Sequence, residues 1–505
     1  MGASSTHPLY DAMKPYWEKG DDSYDGEDAI KHKGAVYLPA TSSMKLDGFG
    51  TDPNGVGQHN YDAYKMRAVY PEIYKDAVDA SIGILHRNEP VIELPEVMED
   101  LRDLATLQGE TLEMLLRKIN TAQLKNGRYG ILGDLLVKDP TNVRPYIATY
   151  PAMSIRNWDD TAEDDSSSDI NLVVLDESGY VREADLSWSW KKKYRVLALV
   201  GPDGLLADTG TYATSVFEAD QEIPGYKFEI NPNYQQTTLE EIPFAFVNAS
   251  DIASDPAMPP LNGLANSCLA IYRAEADYRQ ALFMQGQETF VRIGHTTSDD
   301  DEEVRTGTGS RVDVPIGGDA KYVGVSGAGL GEQRQGLEND YARAMNKSGQ
   351  ITDATSRANE SGDALRIRMA AQAATLPAIA KAGAAALQKV LRAMAVWYGA
   401  NPEEVVVTPN LEFTEQDLNG ETLVKMVTAK NQGAILSNES IHQYMQENGM
   451  TKMTYEDEKK LVDKEREEAM ENFGAGFDDL GSNQNGDEED PEQQGQEEEN
   501  EEQEE

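Results

Sequence analysis

The side chains that could carry chemistry in this chain are scattered. Its six histidines (His7, His32, His59, His86, His295 and His442) never fall at H-E-x-x-H spacing, and none clusters with the single cysteine, Cys268, as a zinc site requires. The run G-x-x-x-x-G-K-[ST] that cradles nucleotide phosphates is absent, which argues against an ATPase or GTPase. The glycine-rich GVSGAGLG at 324–331 fails two patterns: Glu332 stands where G-x-G-x-x-G needs its last glycine, and Ala328 breaks G-x-S-x-G. It reads as a turn joining a strand to a helix. The acidic run Asp299, Asp300, Asp301, Glu302, Glu303 lacks the spacing that wraps calcium and reads as a solvated turn. With 89 Asp and Glu against 45 Lys and Arg, no carboxylate pair stands out as acid and base. Asn248, Asn346, Asn359 and Asn438 match the glycan acceptor pattern, which carries no weight without a secretory signal. The expectation is a protein that is not an enzyme and uses no cofactor or metal.

The elements that would position any site are more legible. The longest helix signal runs from Asp353 to Ala400, with Asp353 or Thr355 as its cap and Gly399 as its stop. Leu376, Ile379, Gly383, Leu387, Val390, Leu391, Met394 and Trp397 recur at helical spacing. Ten of the seventeen residues from Ala370 to Ala386 are alanine, which favours helix and lets backbones approach closely. Pro377 is expected to bend this helix. A helix over Pro260–Gly286 places Cys268 on an apolar stripe, where it packs rather than reacts. A shorter helix over Arg334–Met345 leads into a polar loop, Asn346 to Thr352.

Residues 1–60 read as irregular. Helical stretches follow from Tyr61 to Arg87, interrupted near Pro71, and from Val97 to Asn126, with Gly127 as a left-handed cap. VIEL, between Pro90 and Pro95, reads as a short strand. From about Ile131 the texture becomes β, with strand candidates ILGDLLV, RPYIATY, INLVVLD, YRVLALV and YKFEIN. TFVRIG, RVDVPIG and KYVGVSG form a second β insert. EEVVVTP is a strand candidate after Gly399, followed by a helical module over Leu418–Met470. The class is α+β.

The formal charge is −44, and fourteen Asp and Glu with no Lys or Arg lie between Gly474 and Glu505. Such a chain repels a free nucleic-acid surface, yet could enclose DNA without sticking to it. The tail is too charged and too poor in apolar residues to form a core, and reads as disordered beyond Asn472. It is either a solubilising extension or a segment facing packaged DNA or basic scaffold. A single cysteine fits a reducing compartment. No run of about 18 apolar residues exists, so no membrane span is expected.

The order of these parts resembles the portal (head–tail connector) proteins of tailed bacteriophages, in particular a portal-like subgroup described as phage proteins of unknown function. Local segments are similar to that subgroup. They include Tyr37-Leu38-Pro39, Tyr61-x-x-Tyr64-x-x-Arg67-Ala68-x-Tyr70, Arg87-x-x-Pro90 with Leu94-Pro95, and LKNGRYGILGDL at 124–135. Pro259-Pro260-Leu261 looks like the lead into a stem. Ala358 and Glu360 match the Thr-Ala-x-Glu start of portal wing helices, with Arg357 in place of the threonine. Gly433 to Glu439 is similar to a Gly-x-Ile-Ser-x-Glu element near portal C-termini.

The resemblance implies a portal fold of wing, stem, clip and crown, with long helices around a central channel and β-rich wing and clip. The expected parts are an N-terminal wing (1–258), a first stem helix (259–286), a clip (287–333), and a second stem helix with tunnel loop (334–355). A long wing helix (356–400), a crown (401–472) and an acidic tail (473–505) complete the chain. It implies a homo-oligomeric ring, typically of twelve subunits, in the virion at one capsid vertex, made in the bacterial cytoplasm. Double-stranded DNA passes through without sequence specificity, the terminase large subunit docks and is replaced by head–tail adaptors, and capsid and scaffold proteins surround it. Asn346, Lys347, Ser348, Gly349 and Gln350 would form the tunnel loop. Lys347 there reads equally as a phosphate contact or as an ordinary exposed lysine. Arg357, Arg366 and Arg368 would pair with acidic residues of an adjacent subunit. Two rival readings stay open: an oligomeric adaptor or scaffold that does not conduct DNA, and a metal-dependent hydrolase using the acidic clusters.

Overall fold

The computed structural model describes residues 2–139, 142–160, 170–218, 221, 223, 225–230, 237–286, 289–293, 314, 316–323, 327–348, 375–411, 420–447, 451 and 453–475. Helix and sheet are mixed along the chain, which makes the class α+β. Two units succeed each other in sequence, Met1–Phe413 and Thr414–Glu505.

The first correction concerns residues 1–60, which are helical over much of their length. They form α1 (Pro8–Asp25), α2 (Glu27–Lys33), α3 (Ser42–Leu46) and, reaching past residue 60, α4 (Val56–Arg67). Pro8 stands in the first turn of α1, where a missing N–H costs nothing, and His7 Nδ1 accepts the Leu9 N–H at 3.2 Å. After Pro71 comes α5 (Ile73–Leu85), then strand β1 (Val91–Glu93), α6 (Asp100–Asp103) and α7 (Leu112–Asn126). Thr111 caps the start of α7, and Gly127, at φ +66°, ends it in the left-handed conformation.

The β region is richer than its sequence candidates. It comprises β2 (Arg128–Asp139), β3 (Asn142–Pro151), β4 (Ile155–Asp159), β5 (Leu172–Asp176), β6 (Gly179–Arg182), β7 (Trp188–Lys191), β8 (Lys193–Val200), β9 (Thr211–Glu218) and β10 (Phe244–Asn248). Three of these form an antiparallel sheet in the order β10-β2-β3, four another in the order β4-β5-β8-β9, and β6 and β7 pair only with each other. The YKFEIN segment forms no strand. Its Tyr226 and Phe228 instead pack edge-on against Phe217 of β9, so its alternation reports packing rather than a ladder. Arg195 ties the two larger sheets together, donating to Asp134 at 3.0 Å and Glu177 at 2.7 Å, while Tyr146 and Tyr150 donate to the same carboxylates.

Next come α8 (Asn262–Gln285), β11 (Thr289–Ile293), β12 (Asp319–Val323), α9 (Leu330–Ser348) and α10 (Leu376–Tyr398). β13 (Val406–Thr408) closes the first unit by pairing antiparallel with β1, Ile92 opposite Val407. Three cores result. One joins α1, α7, the three-stranded sheet and α10 through Trp17, Leu116, Ile131, Phe246, Leu387 and Trp397. Another joins α4, α5, α8, α9 and the first turn of α10 through Tyr64, Val78, Tyr272, Leu337 and Ile379. The third covers one face of the four-stranded sheet with Ala3, Val196, Phe217 and Phe228.

The described part of the long helix begins at Leu376, and the expected stretch from Asp353 to Ala374 lies outside the described residues. Pro377 stands in the first turn of α10, a position where proline leaves the hydrogen-bond ladder intact. The small residues of α10 are covered by their own chain: a Cβ on Gly383 would lie 2.5 Å from Asn120 Nδ2 and 2.9 Å from Gln123 Oε1 on α7. From Leu376 to Ala386 the close approach foreseen from the alanines is an approach to α7 and β10 within one chain. Gly399 ends the helix at φ +65°, as read from the sequence.

The second unit contains α11 (Gly420–Asn431), α12 (Asn438–Glu447) and α13 (Tyr455–Ala475). α13 runs past the boundary drawn at Asn472. Within this unit His442 is buried and its ring meets Tyr455 edge-on at 5.5 Å.

Candidate functional site

The candidate site is the pair α8–α9 with the β11–β12 hairpin that joins them. The pair is antiparallel: Lys347 near the end of α9 reaches Ser267 near the start of α8, Tyr341 meets Glu275, and Gly327, just before α9, lies against Gln285 at the end of α8. The half near the core is anchored by Leu264, Cys268, Ile271, Tyr272, Leu337 and Ala344. At mid-length Glu275 is buried, accepting from Arg279 Nε at 2.7 Å and Tyr341 at 3.3 Å, so its charge is compensated where it leaves water. Beyond Glu275 and Ala276 no residue of α8 is buried, and Leu282, Phe283 and Met284 are exposed. Ile293, Ile316 and Val323 around the hairpin are exposed as well. The distal half of the pair thus carries partly exposed apolar side chains, with the Arg67 guanidinium lying over the Phe283 ring at 4.1 Å.

Asn346, Lys347 and Ser348 were expected in a loop. They form the last turn of α9 instead, because nothing before Gly349 interrupts helix geometry, and Ser348 Oγ donates back to the Met345 carbonyl at 2.8 Å. Lys347 Nζ donates to Ser267 Oγ at 2.9 Å and approaches the Gly263 carbonyl at 3.5 Å, and the side chain stays exposed. A cation at a helix C-terminus is also favoured by the helix dipole. Gly349, Gln350, Arg357, Arg366 and Arg368 lie outside the described residues, as does the acidic run 299–303.

The residues weighed for chemistry are dispersed. Cys268 is buried, and that burial pushes its thiol up to about 11, away from nucleophilic character. Among the described residues no group of three or more His, Cys, Asp or Glu is placed to hold a metal ion. No helix of the described residues is long and apolar enough to cross a membrane. One shallow cleft, of about 90 Å³, lies between Lys389 and the carboxylates Asp208, Glu240 and Glu241.

Two features were not foreseen. Arg128 is fully buried between the rings of Trp158 and Phe246, with its guanidinium carbon 4.5 and 4.3 Å from their centroids. Burial lowers its pKa to about 9, so it remains a cation at neutral pH, held by the ring faces and by Asn248 Oδ1 at 3.4 Å. The other is the β6–β7 hairpin, whose aromatic residues stand in solvent. Its signal was present in the alternation of Tyr180 and Arg182 with Trp188 and Trp190 across an acidic turn.

Comparison with known proteins bears on the same region. A family model described as "Domain of unknown function (DUF4055)" matches residues 260–398. The match opens just before α8 and closes on the last residue of α10, so it contains the antiparallel pair, its hairpin and the alanine-rich helix. Two solved structures are similar at 13% identity. A chain in the neck of the native GTA particle, computed with C12 symmetry, gives a TM-score of 0.35 over 80% of this chain and 92% of that one. A chain in the neck of the empty GTA particle, computed with C6 symmetry, gives 0.37 over 81% and 93%. No curated protein matches the chain.

Proposed function

We propose that the chain is the subunit of a portal, a ring at one vertex of a phage-like capsid that conducts double-stranded DNA during packaging and ejection and catalyses nothing itself. The observation that carries this reading is the distal half of the α8–α9 pair. It leaves the core with Leu282, Phe283, Met284, Ile293, Ile316 and Val323 exposed, and a ring of copies would bury them further. Burial of this partly exposed apolar area between subunits contributes about 25 cal/mol per Å² removed from water, set against the cost of association and side-chain ordering.

In this reading α8 and α9 are the stem helices, and the β11–β12 hairpin belongs to the clip, where the terminase large subunit docks before head–tail adaptors replace it. The segment Asn346–Gln350 borders the channel. The crown follows residue 401, and capsid and scaffold proteins meet the N-terminal wing. The charge of −44 gives the channel little affinity for phosphates, which suits a conduit. Arg357, Arg366 and Arg368 offer cations to a neighbouring acidic subunit. Electron microscopy of the purified full chain tests the reading: rings with a central channel are expected, twelve subunits being the typical count. A monodisperse monomer, in solution and in particles, contradicts it.

A further inference from the structure

Among the described residues the β6–β7 hairpin pairs with no third strand, and its register sorts its side chains cleanly. Tyr180 opposes Trp190 and Arg182 opposes Trp188, so these four residues share one face, confirmed by the Tyr180–Trp190 ring contact at 4.9 Å. The tip carboxylate Glu183 pairs instead with Lys191 and Ser189 of the opposite face. The first face therefore carries three aromatic rings and the Arg182 cation. Trp188 is 64% and Trp190 54% exposed, whereas Trp17, Trp158 and Trp397 are buried. At the tip, Leu186 is 70% exposed and held at φ +69°, a left-handed backbone that glycine or asparagine would adopt more readily. An apolar residue kept in solvent at a backbone cost is a contact residue awaiting a partner.

Around α6, Val97, Leu104 and Leu107 are exposed beside Glu96, Asp100 and Asp103, while Arg102 is turned onto Glu99 and the Ile92 carbonyl. That stretch offers apolar side chains and free carboxylates where the hairpin offers aromatic rings and Arg182. Copies of a chain carrying −44 repel one another on average, so they associate most readily where one of them presents cations. We infer that the hairpin of one copy seats on the α6 surface of a second copy, a head-to-tail contact of the kind that closes rings. The contact presupposes the ring proposed above and names one of its interfaces.

Charge reversal in the full chain tests it, with assembly followed by light scattering and tryptophan emission. Arg182→Glu and Asp103→Lys are each expected to raise the concentration needed for assembly by about tenfold or more, and combining them to recover much of that loss. Emission of the wild type should move to shorter wavelength on assembly as Trp188 and Trp190 leave water, and the move should vanish in the W188F/W190F variant. Leu186→Gly separates folding from association: it should unfold no sooner than the wild type while assembling more weakly. Unchanged assembly in both single reversals, or assembled rings with tryptophan emission still that of exposed indoles, overturns the contact and leaves the ring standing. A closed dimer that buries the indoles supports the contact and contradicts the ring. Absence of any self-association overturns both.

Discussion

At the scale of single residues, the chain hides a polar network inside its largest core. Asn120 Oδ1 accepts from His86 Nε2 at 2.9 Å, and its Nδ2 donates to Gln123 Oε1 at 2.8 Å. Gln123 Nε2 in turn donates to the carbonyls of Asn248 at 2.7 Å and Ile379 at 3.2 Å. Gly383 is the residue that lets α10 come down on this network. Gly383→Ala is expected to lower the unfolding free energy by about 1–2 kcal/mol, because overpacking outweighs the better helix propensity of alanine. Urea unfolding checks this, and a stabilised variant would contradict it. His86 adds a pH dependence. Burial disfavours its imidazolium and lowers its pKa from the ordinary 6.5, so the unfolded chain takes up the proton first as pH falls. Its contribution is complete above about 6.5 and is lost progressively below that value, until the folded-state pKa is also passed. His86→Gln should flatten this part of the stability–pH curve relative to the wild type, and an identical slope in both proteins would contradict the assignment. None of this was legible in the sequence, because the partners stand on four separated stretches and hydrogen-bond complementarity leaves no periodic trace.

At the scale of elements, periodicity and caps served where a helix has one wet face. α5 and α8 emerged close to their expected bounds, α7 ends at Asn126 as expected but starts at Leu112 rather than Val97, and the glycine stops at Gly127 and Gly399 were read correctly. The N-terminal helices escaped for identifiable reasons. α1 contains Pro15 and Gly20, both breakers by local rules, yet Gly20 is needed because a Cβ there would lie 2.5 Å from the Lys125 carbonyl oxygen. α4 spreads Tyr61, Tyr64 and polar residues without a clear stripe, so only its second half, from Tyr61, was expected as helix. Among strands, β10 is buried along its whole length and β6–β7 is exposed on both faces, so neither alternates in burial as a half-buried strand does. The antiparallel pairing of β1 with β13 could not be anticipated, since register across so long a separation is set by the packed helices between them. The end of α9 was misplaced by one turn, which moves Lys347 from a loop onto a helix where Ser267 holds it. A deletion of residues 346–352 discriminates two readings at this scale. In a portal, rings should still form but DNA packaging should fail; in a peripheral adaptor or scaffold, the DNA content of particles should be unaffected.

At the scale of the whole molecule, the decisive features are the exposed apolar half of the α8–α9 pair and a strongly acidic charge. Between Leu376 and Tyr398 most small residues of the alanine-rich helix are buried by their own chain, so the proposed ring would draw its cohesion from the α8–α9 pair and its hairpin. Replacing Leu282, Phe283 and Met284 together by serine should leave a folded subunit, since none of the three belongs to a core and what is lost within the chain is the Arg67–Phe283 stacking, while dissociating the assembly in sedimentation experiments. Retention of full-size assemblies would place the cohesion elsewhere. The most direct measurement is the class-averaged electron-microscope image of the purified full-length chain. The account predicts closed rings with a central channel wide enough for a DNA duplex, and a population of single subunits with no ring at any concentration would contradict it.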